Sequence, residues 1–400
     1  MSLRWLCVVS LSWLMIAAAY GEVGCEGLSG IAQEAEKLRG LNFKRHPSCK
    51  KLSQTEFQKL SSEIIRAEIS LPALEYEEGG LKDLGVVSEE FRYQECLVDL
   101  LTSNSAGFYS TRIAGFVVPE WFEVPSFIMI HEAVHALQDQ HFDLKRISPY
   151  KFIFSDKSLA VGALMEGDAM RIEGEFWEKH PEAQKEELDP QNRVPQRTAA
   201  CKVPEELQAL LDAPYDYGRV FVEQLIRAGG GNRAVDGAFR RPPRSTEQVL
   251  HIEKYLNDEG PAPSSIELPM AIVIEGRGLK LKFRDSVGEL GIRLMLKRFL
   301  SRSSSVLGAK DWGNDRFGVY GGKAGERCTR WRTVWDTVEA ARRFKGAVLL
   351  MWSKRFGLEL DRSVARVAFE SGAGMFGSLE SGRGNEVGLT ICHVPKGSPP

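Results

Sequence analysis

The chain has 400 residues, of which 43% are hydrophobic and 26% charged, with 38 Gly and 18 Pro. That composition is globular and excludes disordered, collagen-like and coiled-coil classes, and the length suits two domains or one large domain with an appended lobe. Lys and Arg total 52 against 54 Asp and Glu, a net charge of -2 with no long single-sign block, which argues against a nucleic-acid partner or a membrane-surface role.

The first 21 residues stand apart. Arg4 gives a positive start, Trp5 to Ala19 is an apolar run broken only by Ser10 and Ser12, and Ala19-Tyr20-Gly21 places small residues where a signal peptidase cuts. The run is shorter than the roughly 20 apolar residues that a spanning helix prefers. Residues 1–21 therefore read as a cleaved secretory signal, leaving no membrane span and a secreted or periplasmic chain. Six cysteines follow, at 25, 49, 96, 201, 328 and 392, compatible with up to three disulfides in an oxidising compartment. None is spaced C-x-x-C, so neither a zinc ribbon nor a redox pair is suggested.

Ser53-x-x-Glu56 has the form of a capping box, and Phe57, Leu60, Ile64, Ile65 and Ile69 recur at helical spacing, which predicts a helix over 54–69 that Pro72 stops. A helix is expected over 89–102, then two short extended segments from Gly107 to Val118, then a helix carrying the most informative residues. Further helices are expected over 157–179 and 219–228, the latter ended by Gly229-Gly230-Gly231. Pro242-Pro243 and the run from Glu259 to Ser265 read as loops, the second as a domain boundary. Beyond it come a strand over 270–274, helices near 286–301 and 337–355, and short strands towards Cys392. The expectation is an α+β fold in which a small mixed sheet packs on a mainly helical body, with one domain over 22–260 and a C-terminal α/β region of unknown role over 261–400.

His131-Glu132-Ala133-Val134-His135 is H-E-x-x-H, and Phe127, Ile130, Val134 and Leu137 form an apolar stripe at spacings of three and four. Residues i and i+4 lie about 40° apart round a helix, so both imidazoles project from one face and can share a tetrahedral zinc. Glu132, about 100° round from His131, flanks that ion without ligating it, the position of a general base. Two residues compete as third ligand. His141 has the spacing of a metzincin, but Gln138 stands where that pattern has the helix-ending Gly, and on a continuing helix His141 points about 120° away from His135. Glu166, in Glu166-Gly-Asp168-Ala169, is an acid within an apolar helical turn, 31 residues after His135.

With these motifs the chain resembles the gluzincins, the thermolysin-like branch of zinc peptidases, whose third ligand is a Glu on the helix after H-E-x-x-H. The resemblance implies a zincin-like fold with His131, His135 and Glu166 on one zinc and Glu132 as catalytic base. His131 to Phe142 followed by Glu166-Gly-Asp-Ala also look similar to a group of secreted bacterial proteins within that branch. The likeness covers roughly residues 106 to 255, with Trp312-Gly-Asn-Asp-Arg and Trp335-Asp-Thr similar to the same group's C-terminal part. One departure stands out: the thermolysin pattern has an Asp four residues after the ligand Glu, where this chain has Met170. A second carboxylate for a histidine's outer N–H is then expected from Asp168 or Asp139.

Hydrolysis builds negative charge on the scissile carbonyl oxygen, so a donor downstream of the ligand Glu is expected, with Tyr217 and His251 favoured over Arg244. Phe116 to Val118 is a candidate edge strand for an extended substrate. Together these readings imply an exported zinc metallopeptidase acting on peptide or protein substrates. The alternative is a secreted interaction protein that binds zinc on the same scaffold without turnover.

Overall fold

The computed structural model describes residues 25–68, 71–92, 96, 107–147, 155–181, 203–262, 266–361, 364–371 and 374–395. The expected signal segment lies outside these residues, as does most of the helix expected over 89–102. In chain order the elements are α1 (Leu28–Arg39), β1 (Ser48–Leu52), α2 (Gln54–Glu68), α3 (Leu71–Leu84), β2 (Phe108–Ser110), β3 (Gly115–Pro119), α4 (Ser126–Phe142), α5 (Leu144–Ile147) and α6 (Asp156–Lys179). They continue with α7 (Glu205–Arg227), α8 (Asn232–Arg240), α9 (Thr246–Leu250), α10 (Ile252–Leu256), β4 (Ala271–Ile274), β5 (Arg277–Asp285), α11 (Gly288–Lys297) and α12 (Arg302–Ala309). A long hairpin of β6 (Trp312–Gly321) and β7 (Arg327–Trp335), then α13 (Val338–Phe356), β8 (Arg366–Ser371), β9 (Met375–Ser381) and β10 (Glu386–His393), complete the fold. The architecture is α+β, and among the described residues no helix is long and apolar enough to cross a membrane.

Local chemistry explains the helix ends. Ser53 and Glu56 form the expected capping box: the Ser53 amide donates to the Glu56 carboxylate at 3.2 Å and the Glu56 amide to the Ser53 hydroxyl at 3.5 Å. That helix, α2, ends at Glu68, before Pro72 as expected, and Pro72 itself lies in the first turn of α3, where its missing N–H has no intrahelical acceptor to satisfy. A second proline departs from expectation. Pro214 lies inside α7, which begins at Glu205, well before the expected start at Arg219. The helix carries on through it, and the proline faces α6, with its Cβ and Cγ 3.6 Å from where a Cβ added at Gly162 would lie.

Two sheets divide the strands. The small sheet has order β1-β3-β2, with β1 parallel and β2 antiparallel to β3. Every residue of β3 is buried, so Phe116 to Val118 belong to a central strand, and the edge beside α4 is β2. Phe116 and Val118 pack with Phe127, Ile130, Val134 and Leu137 of α4 and with Ala169 and Ile172 of α6, which fixes the two site helices against each other. The large sheet is seven-stranded and antiparallel, in order β4-β5-β6-β7-β10-β9-β8. Its core holds the fully buried Trp312, Trp331, Trp335 and Trp352. Leu74, Leu81 and Leu84 of α3 and Leu207 and Leu210 of α7 share that core, so residues on both sides of the expected boundary near 260 pack together.

Cys25 bridges Cys49 and Cys328 bridges Cys392. The first closes the segment carrying α1, and the second joins facing residues of β7 and β10. Both are compatible with an oxidising compartment.

The start of α6 is tied to the C-terminal half by a buried acid. The Asp156 amide donates to the Ser286 carbonyl at 3.1 Å, and its Oδ1 accepts the Thr246 amide at 2.9 Å. Burial, assisted by the neighbouring Asp315 and Asp285 carboxylates, pushes the Asp156 carboxyl up from 3.8 to about 8. Between those values the folded chain holds a proton that the unfolded chain has released, so this group stabilises fully below pH 3.8 and its contribution is lost as pH rises to about 8. An Asn keeps the Oδ1 acceptor and does not titrate. Asp156→Asn is therefore expected to gain stability relative to wild type steadily from pH 5 to pH 8, measured by denaturant unfolding; a difference independent of pH would refute the assignment.

Candidate metal centre

The apolar stripe of α4 faces the core, which turns His131 and His135 towards α6 and buries both rings. Glu166 of α6 meets them and is itself buried. His131 Nε2 lies 3.1 Å from Glu166 Oε2 and 3.1 Å from His135 Nε2, and His135 Nε2 lies 3.3 Å from Glu166 Oε2. These three atoms form a nearly equilateral triangle. A tetrahedral ion with bonds of roughly 2.0–2.1 Å needs ligand atoms about 3.3 Å apart, so the triangle has the dimensions of one face of that tetrahedron.

The outer nitrogens of both rings are committed as donors. His131 Nδ1–H donates to Glu173 Oε2 at 3.2 Å. His135 Nδ1–H donates to Gln138 Oε1 at 3.0 Å, and the Gln138 amide is oriented by its own Nε2, which donates to the Met165 carbonyl at 3.0 Å and to Asp168 Oδ2 at 3.1 Å. Each imidazole therefore turns Nε2 inward, the arrangement in which a neutral ring offers a lone pair to a metal.

The cluster is built for positive charge. Burial disfavours ionised Glu166, yet the charge of His135 and hydrogen bonds from both imidazoles hold its carboxyl down at about 2. Burial likewise opposes a charged His131, but hydrogen bonds to Glu166 and Glu173 raise it to about 10. In metal-free protein protons supply the charge that Glu166 and Glu173 demand, and a bound cation would displace them. Two imidazole nitrogens and one carboxylate oxygen make a borderline donor set that suits zinc.

Glu132 is buried on the adjacent face, with Oε2 accepting the Tyr109 amide of edge strand β2 at 2.7 Å. Burial pushes its carboxyl up, against the lowering influence of His135, His131 and that amide. The Tyr109 hydroxyl donates to Asp139 Oδ2 at 2.8 Å, which fixes β2 to α4.

The remaining expected residues fall as follows. His141 Nε2–H donates to the Asn42 carbonyl at 2.8 Å and does not join the triangle. Asp139 holds Tyr109, and Asp168 reaches His135 only through Gln138; the carboxylate on the outer nitrogen of His131 is Glu173, which was not among the expected residues. Glu173 lies seven residues after Glu166, two turns on along one face of α6, and takes the part expected at position 170. Tyr217 packs partly buried between two apolar clusters. The ring beside His131 belongs instead to Tyr215, stacked at 6.3 Å between centroids with an interplanar angle of 25°. The two tyrosines lie about 200° apart round α7, so only one can face the site. His251 Nε2 is paired with Glu289 at 3.0 Å and lies 3.4 Å from Arg293 Nη2, groups that none of the three convergent residues shares. Arg244 binds Asp258 at 3.1 Å.

Comparison with known proteins reaches only the C-terminal half. Residues 279–388 match the model of a family described as a domain of unknown function, DUF8575. That segment contains most of β5, the turn that holds Asp156, and the core of the large sheet; the convergent residues on α4 and α6 lie outside it. No curated protein and no solved structure matches the chain.

Proposed function

We propose that this chain is a zinc-dependent peptidase of gluzincin type, exported to an oxidising compartment and hydrolysing peptide bonds by attack of water. The observation that carries the reading is the triangle of His131 Nε2, His135 Nε2 and Glu166 Oε2, with sides of 3.1, 3.1 and 3.3 Å and both outer ring protons directed away from it. Bound there, zinc supplies Lewis acidity towards a substrate carbonyl and acidifies a water.

The chain's own residues do the rest. Glu132 takes a proton from the attacking water and passes it to the departing amine, with no covalent enzyme intermediate. Its Oε2 stays fixed by the Tyr109 amide, leaving the other oxygen for that proton. Glu173 and Gln138 keep the rings in one orientation, and the Tyr215 ring covers the back of His131.

The test is metal analysis of the purified chain followed by digestion of a peptide library with and without a chelator. One zinc per chain and chelator-sensitive cleavage are expected, with zinc lost in Glu166→Ala and retained in His141→Ala. Absence of stoichiometric metal would overturn the proposal, and zinc without cleavage of any peptide would favour an interaction protein on the same scaffold.

A further inference from the structure

The two histidines are held in different ways. His131 donates to a carboxylate, Glu173, either oxygen of which accepts. His135 donates to an amide, and an amide has two opposite ends: turned over, Gln138 would present N–H to Nδ1 and drive the ring proton to Nε2, the inward nitrogen. Retention of a metal on His135 thus depends on which way Gln138 points.

The groups behind Gln138 decide that. Its Nε2 sits between two acceptors, the Met165 carbonyl and Asp168 Oδ2. Asp168 is completely buried and acts as an acceptor because two guanidinium groups hold it, Arg39 Nε on Oδ2 at 2.7 Å and Arg171 Nη2 on Oδ1 at 3.2 Å. Arg39 is also completely buried, which for an arginine demands such partners. Its Nη2 binds Asp236 Oδ1 at 2.7 Å, and its carbonyl accepts Asn232 Nδ2 at 2.8 Å. Arg39 ends α1, within the segment that the Cys25–Cys49 bridge closes.

We infer that Gln138 is an amide relay whose orientation is set by Asp168 and Arg39, so that Arg39, on the N-terminal helix, is a positioning residue for the metal centre. The inference rests on the metal reading above and deepens it.

The test asks whether Asp168 and Arg39 act through Gln138. Gln138→Met removes the acceptor on His135 while leaving the Arg39–Asp168 pair in place, so zinc affinity, measured by competition with a chromogenic chelator, is expected to fall by about 10–100-fold. Asp168→Ala and Arg39→Met are each expected to weaken binding in the wild-type background and to add little once residue 138 is Met, because their effect passes through the amide. Gln138→Met keeps the test informative if Asp168→Ala does not fold. Losses that add in the double variants, or Gln138→Met binding zinc as wild type does, would overturn the relay. Wild type that binds no zinc would refute the metal reading itself.

Discussion

Glu132→Gln is expected to lower peptide hydrolysis by about 10²–10⁴-fold, the range that a positioned general base contributes, while the chain keeps one zinc. The variant removes one function only. Glu132 is not among the convergent ligand atoms, which come from His131, His135 and Glu166. A glutamine can still accept the Tyr109 amide, the hydrogen bond that places the side chain, so fold and metal should both survive. What is lost is the ability to take a proton, which burial has tuned in the useful direction: it raises the carboxyl above its ordinary value and so makes the carboxylate a stronger base. Turnover on a peptide found in the library screen, measured beside metal content, decides the matter. A Gln variant with wild-type turnover would remove Glu132 from the chemistry. If zinc were lost along with turnover, Glu132 would instead help to build the site.

The convergence of His131 and His135 was legible because it depends on one helix and its phase. The spacing of His131 and His135 with the stripe Phe127, Ile130, Val134 and Leu137 fixes both which residues converge and which face they share. Glu166 was legible as an acid among apolar neighbours. Capping-box letters at Ser53 and Glu56 gave the start of α2 in the same way. Two of the misses share a physical cause, tertiary contact overriding a local signal. The expected helix began only at Arg219, so the first half of α7 was hidden and, with it, the helical phase that puts Tyr215 rather than Tyr217 against His131. Strands β6 and β7 were not expected as a long hairpin because β6 is buried almost throughout, between Trp312 and Tyr320, and so lacks the alternation that marks a half-exposed strand. Glu173 lies two turns from Glu166 on the same face of α6, but the family pattern has its acid at position 170 and no local signal marks 173.

The close crossing of α6 and α7 yields the second large effect. A Cβ added at Gly218 would lie 2.1 Å from the Ala163 carbonyl oxygen, and one added at Gly167 would lie 2.2 Å from the Gly218 carbonyl carbon and oxygen. Both obstacles are backbone, so no side chain can swing aside and the helices themselves must separate. This explains the glycine that follows Glu166: α6 supplies Glu166, Glu173 and Asp168, while α7 supplies Tyr215, and only glycine lets the two approach so closely. Gly218→Ala is therefore expected to destabilise by about 1–3 kcal/mol or more, the range for overpacking, lowering the melting temperature by about 1 °C per kcal/mol for a chain of 400 residues. It should also weaken zinc binding, because Glu166 rides on the helix that is displaced. Gly174→Ala is the control on α6 itself: Gly174 is exposed, nothing lies within 4 Å of its added Cβ, and alanine there should stabilise by roughly 0.5–1 kcal/mol through helix propensity. Opposite signs for the two glycines are the outcome that close helix contact requires; a Gly218→Ala protein that melts with Gly174→Ala and binds zinc as tightly would mean that the crossing is looser than the geometry demands.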